Sequence, residues 1–119
     1  MILARRLTLG AALGLLLVAS ALARPPAMVD SSPKAHAIIR GPHTSYVVRF
    51  DSPVNHRESR IQILRGDQVY ASLPALADSA VDVLFAGGPT PPAGQYTLRW
   101  STVSVSGEAA TGDIPFTVE

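Results

Sequence analysis

The chain has 119 residues, enough for one domain. Ten Lys and Arg against nine Asp and Glu leave a formal net charge of +1, which lacks the basic excess of a nucleic-acid binder. Cysteine is absent, so a disulfide framework, a thiol nucleophile and a cysteine-ligated metal site are all excluded.

In chain order, the first segment reads as an address. "MILARRLTLGAALGLLLVASALA" places Arg5 and Arg6 before an apolar run, and Ala21-Leu22-Ala23 after it. That is the order of a secretory signal, with cleavage expected after Ala23. A retained anchor is the alternative. It needs about 20 apolar residues, and this run is interrupted by Thr8, Gly10, Gly14 and Ser20. Cleavage leaves a domain of residues 24–119, in which eight basic groups face nine acidic ones. Without cysteine, such an exported domain holds together by packing alone. At this size it buries roughly 60–65% of its unfolded surface.

The domain shows short apolar or alternating runs and no sustained helical period. "AMVDSS" reads as a first strand with Met28 in the core. In "SYVVRF", Tyr46, Val48 and Phe50 share a face. "RIQILR" and "DQVYASL" flank Gly66-Asp67 and read as a hairpin. "SLPALADSA" is the one expected place for a helical turn. In "AVDVLF", Val81, Val83 and Phe85 are expected on the core face. "GGPTPPAG" is a stiff turn. "QYTLRWSTVSV" puts Tyr96, Leu98 and Trp100 on one face and Val103 and Val105 on the other parity. If all five face the core, a β-bulge is expected near Ser101-Thr102. In "IPFTVE", Ile114, Phe116 and Val118 face inward, and Pro115 marks an edge or a strand start. About seven short strands without helices predict an all-β fold: a small Greek-key sandwich or barrel, immunoglobulin-like.

Chemistry-bearing residues are sparse. His36, His43 and His56 are isolated from one another, and each reads as a loop histidine rather than a ligand. No Gly-x-Ser-x-Gly signature is present. Asp78 and Asp82 read as a solvated pair. Arg57, Arg60 and Arg65, offset by Glu58, read as a charged strand edge. Gly87-Gly88 is a turn without a following helix, so it is no phosphate loop. Tyr96 and Trp100 sit at strand spacing and read as core. These residues alone point to a binding or structural module and not to an enzyme.

The order of short motifs adds to this. "MVDSSP" is followed by "YVVRFDSPV", then by "PPAGQYTLRWSTVSVSGEAATGDIPFTV". Together they resemble the CopC family of periplasmic copper-resistance proteins, over nearly the whole domain and most specifically from Pro91 to Val118. The resemblance implies a Greek-key β-fold, a periplasmic location and copper handling without catalysis. In that family an N-terminal histidine meets the Asp and His of an Asp-Gly-His turn around Cu(II), donors suited to tetragonal copper. Carried over, the Asp position falls on Ser106, the His position on Glu108, and the N-terminal His on Arg24 or Pro25. Serine is a poor ligand at neutral pH, so Glu108 is the one remaining candidate donor, through its carboxylate. The methionine-rich Cu(I) loop of some members corresponds to residues 65–79, which hold neither Met nor His. Two functions are therefore expected. One is a periplasmic copper-homeostasis protein whose Cu(II) site is weak or rebuilt, with copper or a periplasmic or membrane protein of copper handling as partner. The other is a metal-free immunoglobulin-like interaction module.

Overall fold

The computed structural model describes residues 24–119; the expected signal segment, residues 1–23, lies outside the described residues. Eight strands form two sheets. The smaller has the order β1-β3-β6, from β1 (Met28–Ser32), β3 (His43–Phe50) and β6 (Val83–Pro89). The larger has the order β2-β8-β7-β4-β5, from β2 (Ala37–Ile39), β4 (Arg60–Arg65), β5 (Gln68–Pro74), β7 (Gly94–Val103) and β8 (Ala109–Val118). Only β4-β5 and β7-β8 are hairpins within a sheet; every other connection crosses between sheets, which gives the Greek-key sandwich.

Period-2 alternation builds the core between the sheets. Tyr46, Val48 and Phe50 on β3 meet Ile61 and Ile63 on β4, Leu98 and Trp100 on β7, and Ile114, Phe116 and Val118 on β8. Phe50 meets Trp100 edge-on at 5.0 Å, and Tyr96 stacks on Phe116 at 5.8 Å. Each such side chain contributes about 1.5–3 kcal/mol by leaving water. The β4-β5 hairpin turns at Gly66, whose φ of 63° is open to glycine at no steric cost. Tyr96 is buried, and its hydroxyl donates to the Pro92 carbonyl at 2.6 Å. This ties the stiff "PPAG" entry to β7 much as a tyrosine corner does. Tyr96→Phe removes that bond while keeping the ring. It is expected to cost about 1 kcal/mol in urea unfolding.

Several expectations are corrected. An eighth strand, β2, is formed by "AII" and runs parallel to the end of β8, Ala37 opposite Phe116. It is too short to show a period. No bulge interrupts β7, which pairs with β8 without a register shift from Gly94 to Val103. The alternation simply continues, so Thr102 and Ser104 face inward while Val105 is 70% exposed. Their hydroxyls find partners: Thr102 Oγ1 lies 2.9 Å from buried Ser59 Oγ, and Ser104 Oγ reaches the turn at Glu108. The parity of β6 is also reversed. Leu84 and Ala86 are buried, Val83 and Phe85 are half-buried on the outer face, and Val81 is exposed. Met28 lies at a sheet edge, 41% exposed, and not in the core. The helical turn forms at His56–Glu58, a 3-10 turn capped by Asn55 Oδ1 accepting from the Arg57 and Glu58 amides. Pro115 sits just before β2 begins to pair along β8. Its carbonyl accepts from His36 N at 2.7 Å. In an extended strand N and O of one residue point the same way, so the missing N–H faces the β2 side, away from β7, and costs β7 no ladder bond.

Candidate functional site

The β7-β8 turn is built from the inward parity of Ser104. Its carbonyl accepts from Gly107 N at 3.0 Å, and its amide donates to the Glu108 carbonyl at 2.8 Å. Gly107 closes the turn at φ 101°, a conformation that side chains avoid. This brings three side chains together. Ser106 Oγ donates to Glu108 Oε2 at 2.8 Å, Ser104 Oγ donates to the same oxygen at 3.0 Å, and Glu108 N donates to Ser104 Oγ at 3.0 Å.

The charge follows from these contacts. The Ser106 hydroxyl first, and the Ser104 hydroxyl second, hold the Glu108 carboxyl below the ordinary glutamate value of 4.5. A depressed carboxylate supports the fold above its unfolded value and loses that support as pH falls through the folded one. The loss therefore falls in acid, below 4.5. In a carboxyl-carbon NMR titration, Ser106→Ala is expected to move the Glu108 midpoint upward, toward 4.5. An unmoved midpoint would mean that the hydroxyl does not govern this carboxylate.

Arg24 is held elsewhere. Its guanidinium pairs with Asp51 Oδ2 at 2.8 Å, and Asp51 Oδ1 accepts from Ala27 N at 3.0 Å. The Ala27 amide, then the Arg24 guanidinium, lower the Asp51 carboxyl. This places Arg24 at the turn end of the sandwich. Val54, three residues after Asp51, bridges Ser104, and three residues span at most about 11 Å. Asp51 and Ser104, the anchors of Arg24 and of Glu108, were both missed by sequence reasoning. "RFDSPV" was the only signal for the first; the second was hidden because a serine in a strand reads as outward.

Of the histidines, only His56 comes to this end, since Asn55 N donates to the Val103 carbonyl at 2.8 Å. Its Nε2 lies 2.8 Å from the Val83 carbonyl and 3.0 Å from that of Ala80. Carbonyls only accept, so Nε2 carries the proton. His43 starts β3, whose far end is Phe50 beside Asp51; seven strand residues put it about 23 Å away. His36 contacts Pro115, seven residues along β8 from Glu108, again about 23 Å. Among the described residues, no three or more His, Asp or Glu side chains gather as a metal group. No helix there is long and apolar enough to cross a membrane.

Comparison with known proteins agrees with this architecture. A family description, the CopC domain, matches residues 28–119. The fold is similar to CopC from Methylosinus trichosporium OB3b, with a TM-score of 0.69 and 25% identity over 79% of this chain and 93% of that one. It is also similar to PcoC, a methionine-rich copper resistance protein from Escherichia coli, with a TM-score of 0.63 and 22% identity over 81% of this chain and all of that one. None of the curated proteins compared with the chain matches it. With the two-sheet topology and the matched span in agreement, the chain belongs to the CopC domain family.

Proposed function

We propose that the chain is an exported, periplasmic copper-handling protein that carries or buffers copper without catalysis, and that its β7-β8 turn binds Cu(II) only weakly. Family membership supports the copper role. The weak site is supported by one observation above all: Glu108 Oε2 is already engaged by the hydroxyls of Ser106 and Ser104. Serine hydroxyls are poor Cu(II) donors at neutral pH, and one carboxylate is a poor site for an ion that favours nitrogen-rich tetragonal sets. Arg24, one of the two positions (with Pro25) onto which the resemblance carries the N-terminal ligand, is a cation tied to Asp51.

The test is competition titration at neutral pH on protein whose mature N-terminus has been set by intact mass. Cu(II) is expected to bind with a Kd of about 1 μM or weaker, and Glu108→Ala to weaken it further. Submicromolar binding lost in Glu108→Ala would instead establish a rebuilt site. Binding no better than that of an unrelated protein would sink the carrier role and leave the metal-free interaction module. That second reading has its own support: Val81 and Val105 are 66% and 70% exposed, and both lie beside Val54 at the turn end, through Val54 N to the Val81 carbonyl and the Val54–Ser104 bridge.

A further inference from the structure

A second cluster lies outside the turn, on the outer face of the larger sheet. A groove of about 420 Å³ is lined by Arg57, Glu58, Arg60, Ser72 and Ser101, among others. The backbone beneath it is held in place. Arg57 leaves the 3-10 turn, whose first amides are capped by Asn55 at 3.0 and 3.3 Å. Arg60 opens β4, pointing outward because Ser59 and Ile61 on either side are buried. Across the sheet Arg60 lies opposite Ser101, and the next outward row pairs Gln62 with Ser72. Among the described residues the four ion pairs use Arg24, Lys34, Arg40 and Arg99, and neither Arg57 nor Arg60 takes part in one. Two guanidiniums thus share one groove with two hydroxyls, and only Glu58 opposes them.

We propose that this groove is an oxyanion site that takes a phosphate group, free or as a phosphate monoester. Guanidinium forks match phosphate oxygens with paired, charge-assisted hydrogen bonds. A tetrahedral anion presents oxygens to two forks and to hydroxyls at once, whereas a planar carboxylate satisfies one fork. Glu58 weakens the site and tunes it. The site is separate from the β7-β8 turn and stands whether or not copper binds there.

The experiment is an NMR titration of the folded domain with inorganic phosphate and, separately, with glycerol phosphate, at constant ionic strength. Saturable shifts are expected at the Arg57 and Arg60 side chains and at Ser72 and Ser101, with a Kd of about 1 mM. Arg57→Gln and Arg60→Gln are each expected to weaken binding about tenfold, and Glu58→Gln to strengthen it. Arg49→Gln is the control: Arg49 is exposed on β3, in the other sheet, and its loss should change nothing. Tighter binding of glycerol phosphate would identify an esterified phosphate as the ligand; equal binding would identify phosphate itself. Non-saturable shifts, shifts reproduced by chloride, or equal losses in Arg49→Gln and Arg60→Gln would overturn the proposal. Melting curves of each variant confirm that the fold is intact.

Discussion

Gly112→Ala is expected to destabilise the domain by about 2–3 kcal/mol, near the top of the range for overpacking a core, and to lower its Tm by on the order of 10 °C. Gly112 on β8 lies directly opposite Trp100 on β7, so the two share the inner face. The indole lies across the glycine. A Cβ there would overlap Trp100 Cζ2 and stand 2.6 Å from Cε2 and 2.8 Å from Nε1. The ring has little room to retreat, because Phe50 packs edge-on against it at 5.0 Å and Trp100 is only 6% exposed. Trp100 is the sole tryptophan, so its fluorescence reports the strain at its source. A cycle with Trp100→Phe isolates the contact: the smaller ring should recover part of the loss, giving a coupling of about 1 kcal/mol or more. Additive losses would show that Gly112 matters through backbone freedom alone.

The same pair shows what the sequence made legible. Trp100 could be assigned to the core by its period-2 relation to Tyr96 and Leu98, and Tyr46, Val48 and Phe50 by theirs. The Gly66-Asp67 hairpin followed from turn chemistry. The role of Gly112 is not legible in the sequence, because its partner's bulk is invisible until the strands pair. Parity failed where apolar side chains occupy both faces, as on β6, and where polar ones face inward, as at Thr102 and Ser104. Hydrophobicity alone then chooses the wrong side, since an inward hydroxyl is tolerated once another group accepts or donates to it. Ser59, 43 residues away in sequence, does this for Thr102. The β7-β8 turn was singled out only through resemblance, which pointed to Ser106 and Glu108. Their mutual hydrogen bonds, and the capture of Arg24 by Asp51, depend on contacts that no local pattern encodes.

Ser106→Asp with Glu108→His is expected to raise Cu(II) affinity on the order of 100-fold over the parent chain. The two changes restore the donors that the resemblance to CopC assigns to this turn, a carboxylate and an imidazole flanking Gly107. Partners that merely orient metal ligands are worth roughly 10–100-fold in affinity, so two direct donors should do at least as well. The backbone requires no change, because Gly107 already supplies the positive φ and Ser104 closes the turn through main-chain bonds at 2.8 and 3.0 Å. Each single variant should gain less than half of the effect in logarithmic terms, because a lone carboxylate or imidazole leaves the tetragonal plane mostly to water. The gain should also fall as pH drops through the imidazole range near 6.5, where the proton competes with copper. The parent, whose only donor there is a carboxylate held below 4.5, should keep its weak binding across that interval. Competition titrations of the parent and three variants at several pH values separate these outcomes. If the double variant binds no more tightly than the parent, the assignment of Ser106 and Glu108 as substituted ligand positions in the β7-β8 turn fails.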